Sequence, residues 1–406
     1  MSSKTPGRSG RCSSALLDPT DSGEAPPRKG EDRCWGCPPT PPSEERSVPH
    51  FSTPRTRDSF PDPWTLGSPK ARLQFRRAAT NVPLEVLDGD FASTRARWDA
   101  ILPNCWTNTV YVTQPWQAVW WRFFGESSEL HVLEVRDGDS TVGIAPIQLR
   151  EGVLSLVGYR DLFDYNDFLV VKGREHEFYP AMWAHLSGME WSELELRSVP
   201  EASPTMQHVP SLAAADGLAL KVQEEDKAPI MELPSTWDDY VAGLGKKKRH
   251  ELRRKIRRVE EVGELEREVL KERRDVVSRM PDFFRLMRAS APEKERFLTE
   301  RRESFFAAAA DELAAQGSFR LSFLNLADRP VAANVVIEYG DAYLLYNSGY
   351  DLDFSHLAVG LVNTAFTIKD AIENGRSRFE FLRGTERYKY DLGAEDRSVH
   401  VITVRR

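Results

Sequence analysis

The sequence predicts an α/β protein of mixed α+β character, built as two halves of similar design behind an N-terminal extension. Three observations carry this. Half of the prolines, 13 of 26, fall in residues 1–80, a stretch otherwise rich in Ser, Thr, Arg and Gly. Beyond it, hydrophobic runs of strand length alternate with amphipathic helical runs. And the order of runs in the second half, three strands, a helix and a strand, echoes that of the first. The expected division is 1–80 as a disordered extension, 81–235 as the first half and 236–406 as the second. Residues 1–80 are too poor in clustered apolar side chains to offset the entropy of ordering.

In the first half, Leu84–Leu87 reads as a strand ended by Asp88-Gly89, with a helix following to about Ile101. Thr109–Val112 is a second strand candidate. Residues 115–124 open with Pro115 in a first helical turn and place Trp116, Trp120 and Phe124 on one face. That aromatic stripe is core or, alternatively, a ligand box. Leu130–Val135 and Thr141–Leu149 flank Asp137-Gly138-Asp139, a hairpin signal. Val153–Val157 and Phe168–Val171 continue the sheet. Glu175–Leu186 is helical, and Glu193–Leu196 and Leu218–Val222 are strands.

The second half predicts helices at 236–243, 246–260, 275–289 and 299–316. Phe319–Leu326, Val331–Tyr339 and Ala342–Tyr350 are strands joined by short turns. A helix over 358–373 stops at Asn374-Gly375, and Arg378–Leu382 is a strand. This order sets a helix N-terminus just after a central strand, the arrangement that binds phosphates.

Several classes are excluded. The chain carries a net charge of −7, so DNA coating is not expected and polyanion binding must be local. No run approaches the roughly 18 apolar residues of a membrane span. Together with the lack of a secretory apolar run near the N-terminus, this predicts a cytoplasmic protein. Four cysteines are too few for a disulfide framework. Cys34-Trp35-Gly36-Cys37 is a CxxC without two further ligands in a recognised spacing, and no metal site is expected. Nucleophile elbow, Walker, HExxH and Rossmann fingerprints do not occur.

Specific text in the second half resembles a known family. Residues 236–262 form a basic helix region. Pro330-Val331-Ala332-Ala333, Asn347-Ser348-Gly349-Tyr350-Asp351 and Phe379-Glu380-Phe381-Leu382-Arg383-Gly384-Thr385-Glu386-Arg387-Tyr388-Lys389 follow. These segments resemble the BcsL/CelD-type acetyltransferase domain, a relative of the GNAT superfamily and of the Fem-type aminoacyl transferases. In the first half, Trp116, Trp120, Trp121 and Asp164-Tyr165-Asn166-Asp167 resemble the same family. The resemblance implies a tandem of GNAT-like folds, each a mixed sheet flanked by helices. It implies acetyl-CoA or another acyl-CoA as co-substrate, without a metal, and an amine or hydroxyl acceptor, with a sugar or exopolysaccharide precursor suggested by the family's genomic company.

Residue roles follow from that resemblance and from chemistry. The donor pyrophosphate is expected at Ser355, His356, Ala358, Val359, Gly360 and Leu361, although only Gly360 fits the usual Gln/Arg-x-x-Gly-x-Gly/Ala loop. Acyl transfer needs a base and a proton donor. Glu386 is the candidate base, Tyr388 the candidate acid and Lys389 a candidate for stabilising negative charge, against a bland Lys–Glu surface pair. Asp351 is either a further acid/base group or a helix cap. Arg383 is a candidate for an anionic group. Nine of the thirteen residues Lys246–Arg258 are Lys or Arg. This is either a solvated face or a ligand face, with Arg249 and Arg253 expected inward. Asp164 and Tyr165 are either turn residues or acceptor contacts. Two rival functions stand beside acyl-CoA transfer: a Fem-type transferase using aminoacyl-tRNA, favoured by the basic helix and Lys389, and a non-catalytic GNAT-like binding module.

Overall fold

The computed structural model describes residues 84–406. The expectations for residues 1–80, including Cys34 and Cys37, lie outside them. The first half runs β1 (Glu85–Gly89), α1 (Phe91–Ile101), α2 (Gln114–Phe124), β2 (Glu129–Asp137), β3 (Ser140–Arg150), β4 (Val153–Leu156), β5 (Leu169–Val170), α3 (Glu175–Ser187), β6 (Glu193–Pro200), α4 (Thr205–Ala215) and β7 (Ala219–Lys227). The second continues with β8 (Ile230–Glu232), α5 (Trp237–Gly243), α6 (Lys246–Glu260), β9 (Leu265–Leu270), α7 (Arg273–Ser290), α8 (Pro292–Phe297), α9 (Glu300–Ala315), β10 (Phe319–Leu326), β11 (Arg329–Tyr339), β12 (Ala342–Tyr350), α10 (Val359–Glu373), β13 (Arg378–Glu380), α11 (Arg387–Asp391) and β14 (Ser398–Arg405).

Two mixed sheets, each flanked by helices, result, which is the class the sequence predicts. One has the order β1-β2-β3-β4-β6-β14-β7, with β5 beside β3; the other has the order β8-β13-β12-β11-β10-β9. Each begins as an antiparallel meander and then makes one short parallel pairing, β4 with β6 and β12 with β13. A helix crosses over between the paired strands in both cases, as parallel strands require.

Strand pairing crosses the expected boundary at 235/236 in both directions. β8 precedes it yet pairs with β13. β14, the last strand of the chain, lies between β6 and β7 of the first sheet. Sequence order assigns a strand to its neighbours in the chain; its hydrogen bonds go where an unpaired edge is available.

Two local expectations differ. Val110–Val112 is a 3-10 turn, not a strand, because Thr109 and Thr113 are extended on either side and Val112 and Thr113 donate back to Thr109 and Val110. The Trp116 and Trp120 stripe is core, with both rings at most 2% exposed. Trp116 packs edge-on against Phe305 of α9 and against Tyr346 of β12. The aromatic helix of the first half is thereby a wall of the second.

Close backbone packing sets the position of β12. A Cβ on Gly349 would stand 2.4 Å from the Met287 amide nitrogen of α7. Only glycine admits that approach.

Candidate functional site

The site is built where β12 and β13 part. They pair in parallel over Ala342–Leu344 and Arg378–Glu380 and no further. β12 continues to Tyr350, while the other chain turns away through Leu382, whose φ is +59°, and Gly384, whose φ is +107°. Just past the parting, β12 carries a bulge: Leu345 pairs with Val336 and Asn347 with Val335, leaving Tyr346 unopposed. The Tyr346 ring packs on Tyr111 and Trp116 of the first half, which fixes the bulge.

From β12 the chain makes a 3-10 turn, Leu352–Leu357, and passes through Ala358 at φ +60° into α10. α10 has no side-chain cap at its N-terminus, so its first amides face outward with the positive end of the helix dipole behind them. Leu361 of that first turn borders a cleft of 540 Å³ that is also lined by Lys246, Lys247, Lys248 and Lys255 of α6 and by Arg387, against two carboxylates, Glu251 and Asp391. The cleft is therefore cationic in a chain whose net charge is negative.

The expected donor residues lie at this corner. Ser355 and His356 are exposed on the turn, and Val359 is buried. Gly360 faces the Tyr350 ring, where a Cβ would come to 3.0 Å, so its lack of a side chain serves packing. On α6 the structure turns the helix differently from the sequence reading. Arg249 donates from Nη1 to the Ala242 carbonyl (2.8 Å) and Arg253 is exposed. The lysines line the cleft instead, because Leu252 and Val259 are the buried positions of α6.

Lys389, read from the sequence as a charge-stabilising group or half of a Lys–Glu pair, is engaged with the backbone and with Glu386. Its ammonium is 3% exposed as part of the side chain and donates to the carbonyls of Leu382 (3.0 Å), Arg383 (2.7 Å) and Gly384 (3.0 Å). All three of its donors are used. Glu386 Oε2 lies 3.0 Å from the same nitrogen, yet it makes no hydrogen bond and is buried. The carboxylate is thus ion-paired with Lys389 while its oxygen keeps room for a further donor. Tyr388 packs beside Phe381, and burial together with the nearby Glu386 pushes its phenol well above the usual range. It stays protonated.

Asp351 is a cap rather than an acid/base group. One carboxylate oxygen accepts from the Asp353 amide (3.1 Å) and the other from Arg329 (2.5 Å). The chain must turn sharply there, and the carboxylate satisfies the first free amide of that turn.

Asp164 and Arg383 join the halves. The Arg383 amide donates to Asp164 Oδ1 (2.9 Å), the Tyr111 hydroxyl donates to Asp164 Oδ2 (2.7 Å), and Arg383 Nη1 donates to Ser198 Oγ (3.3 Å). Tyr165 is 8% exposed, and its hydroxyl contacts the Glu380 carboxylate, which also accepts from Arg378 Nε (2.9 Å). Burial raises Glu380 above the ordinary carboxylate value, and Arg378 and Tyr165 oppose that rise. Asp164, Tyr165 and Arg383 come together as expected residues of one region, at the seam between the halves.

One residue escapes the sequence reading. Lys294 of α8 donates from Nζ to the Ser348 carbonyl of β12 (2.5 Å), on the part of β12 that has left β13. Burial lowers its pKa to about 8; Glu386 raises it and Lys389 lowers it further. Pro292-Glu293-Lys294-Glu295-Arg296 alternates charge as a solvated segment does, so no signal in it marks this lysine.

Residues 246–390 match the acetyltransferase (GNAT) domain family. That span starts at the first residue of α6 and ends within α11, so it takes in the cleft, the opening and Lys389. No curated protein sequence matches the chain. Among solved structures the chain is similar to FemX, at 11% identity and a TM-score of 0.56, with 78% of this chain and 96% of that one covered. It is similar to the C-terminal domain of a putative lysylphosphatidylglycerol synthetase from Agrobacterium fabrum, at 12% identity and a TM-score of 0.50, covering 78% and 92%. It is also similar to a conserved protein of unknown function from Bacteroides thetaiotaomicron, at 10% identity and a TM-score of 0.51, covering 80% and 100%. At such identities the likeness is one of fold. Among the described residues no group of His, Cys, Asp and Glu is placed to hold a metal, and no helix is long and apolar enough to cross a membrane.

Proposed function

We propose that this protein transfers an acyl group from an acyl-CoA, acetyl-CoA first among them, to an amine or hydroxyl acceptor in the opening between β12 and β13. The observation that carries this reading is the shared corner of α10 and α6. Leu361, in a first helical turn without a side-chain cap, and four lysines border one cleft. Phosphates bind where free amides, helix dipole and cations converge. The thioester supplies an activated acyl group; the rest is the work of this chain.

The Tyr346 bulge leaves backbone groups of β12 free to orient the acyl carbonyl. Lys294 Nζ, with its pKa lowered to about 8, accepts the proton of an attacking amine or hydroxyl. Glu386 Oε2 attracts that proton from the other side and keeps the ammonium that forms from being isolated. Tyr388, kept protonated by its raised pKa, donates a hydrogen bond to the leaving sulfur, and the proton taken up at Lys294 ends on that thiolate. Lys389 holds the 382–384 loop that forms the far wall. A sugar or exopolysaccharide precursor is the acceptor class we favour. Use of an acyl-CoA places the reaction in the cytoplasm.

Calorimetric titration with acetyl-CoA tests the reading. Binding is expected, and Lys247→Glu with Lys255→Glu should weaken it by about tenfold or more, since each charge reversal acts next to the phosphates. No binding by the unaltered chain would remove acyl-CoA as donor. A non-catalytic role would gain if binding persists without transfer to any amine or hydroxyl acceptor, whereas turnover unchanged in Lys294→Met with Tyr388→Phe would move the chemistry to other residues.

A second reading has one observation in its favour. Beyond the cleft, Arg253, Arg257 and Arg258 are exposed, and no described carboxylate pairs with them. A longer polyanion, the backbone of an aminoacyl-tRNA, would reach them. Binding of charged tRNA whose affinity falls steeply with salt would favour this donor.

A further inference from the structure

The first half has an opening of its own. β4 and β6 pair in parallel over Val153–Ser155 and Glu193–Glu195, then part. A cleft of 420 Å³ lies there, a size that suits a small molecule. Its walls include Gln148, Arg150, Tyr159, Phe163, Glu195 and Ser198.

Two of these residues are held in states that folding alone does not favour. Gln148 is 3% exposed, and its Oε1 has no hydrogen-bond partner. A buried acceptor left so costs about 1–3 kcal/mol. Ser198 is 1% exposed with φ at +61°, in the left-handed region. Its amide donates to Glu225 (2.7 Å), its carbonyl accepts from Asn166 (2.9 Å) and its hydroxyl from Arg383. Strain of this kind persists where the surroundings fix it, commonly at ligand sites.

The chemistry of this cleft differs from that of the cationic one. Arg197 is paired with Glu195 (2.7 Å) and Glu225 (2.9 Å), and Arg160 with Glu225 (3.3 Å). No helix starts where β4 ends: the chain continues through Gly158–Asp167, and α3 begins only at Glu175 with Glu175 and Glu177 in its first turn. No uncapped helix start borders the cleft among the described residues, and its charges balance: Arg150, Arg160 and Arg197 stand with Glu151, Asp161 and Glu195. What remains is an unpartnered amide oxygen, paired guanidinium and carboxylate groups, and the rings of Tyr159 and Phe163. Planar hydrogen-bonding groups beside aromatic faces suit a ligand that carries hydroxyls on an otherwise apolar ring.

We propose that the opening between β4 and β6 is a second ligand site, separate from the donor cleft, for an uncharged hydroxyl-rich molecule the size of a sugar. Gln148 Oε1 takes a hydroxyl donor, Arg150 and Arg197 present donors of their own, and Tyr159 packs on the ring. Ser198 ties the occupied wall to Arg383, and so to the 382–384 loop of the second half.

The test is saturation-transfer NMR on the full chain with N-acetylglucosamine and glucose as probes. Transfer to at least one probe is expected, with affinity falling about tenfold in Gln148→Met and in Tyr159→Ala. Thermal unfolding of both variants checks that they fold, and the exposed Tyr159 keeps the test open should Gln148→Met fail. Absence of transfer to both probes overturns the proposal. So does transfer that both folded variants retain, or displacement of the sugar by acetyl-CoA, which would make the two clefts one. The assay does not involve turnover, so its failure and the failure of acyl transfer are separate results.

Discussion

The two openings share a topology and differ in charge. In both sheets an antiparallel meander ends in a three-residue parallel pairing, after which the strands part. Past β12 the chain enters a helix almost at once, with four lysines of α6 alongside. Past β4 it enters a long loop, where Glu195 and Glu225 pair with Arg197 and Arg160. Backbone geometry therefore parts the strands twice, and side chains decide what each region admits. Only the second opening is suited to a polyanion.

Variants sharpen that contrast. The largest effect is expected at Lys294. Lys294→Met should lower turnover by about a hundredfold or more, as loss of a positioned proton acceptor does. In the unaltered protein the rate should rise with pH through about 8, where the Lys294 ammonium loses its proton, and that limb should vanish in the variant. Stability should follow. The folded-state pKa lies below the ordinary 10.5, so the unfolded chain binds more protons between about 8 and 10.5. Stability rises with pH across that window, and Lys294→Met should flatten the slope, as urea midpoints would show.

Lys389→Met comes next, with a predicted loss of about 3 kcal/mol, since three buried carbonyls and Glu386 lose their cation together. Denaturant midpoints measure it; a loss under 1 kcal/mol would mean that the loop is held otherwise. Gly349→Ala should cost about 1–3 kcal/mol by pushing α7 from β12. Gly173→Ala, where nothing stands within 4 Å of the added carbon but φ is +84°, should cost less, about 1 kcal/mol. The ratio of the two separates crowding from backbone strain. The smallest effect is expected at Arg253→Ala, which should leave acetyl-CoA binding within about twofold; a larger loss would move the donor onto the outer face of α6.

Much of the fold is legible because it depends on local pattern. The three strands Phe319–Leu326, Arg329–Tyr339 and Ala342–Tyr350 show as apolar runs broken by turn residues, and α10 ends at Asn374-Gly375 as its sequence announces. Part of the site is legible too. Lys389 meets Glu386 and the carbonyl of Arg383, and Leu361 shares a cleft with Arg387. Their roles are less so. The sequence leaves two roles open for Lys389 and for Asp351, and their distances to carbonyls, to Glu386 and to Arg329 show how they are engaged.

The sequence by itself determined the elements, the strand-to-helix corner that favours phosphates and the density of charge on α6, because each follows from residues near one another in the chain. Tertiary structure alone decided the rest. It sent β8 and β14 to the opposite sheets, turned the lysines of α6 rather than Arg249 and Arg253 toward the cleft, and lodged Lys294 against Ser348. Those outcomes depend on which edges and surfaces meet across the chain. Burial and strand pairing between distant segments set them, and no local pattern encodes either.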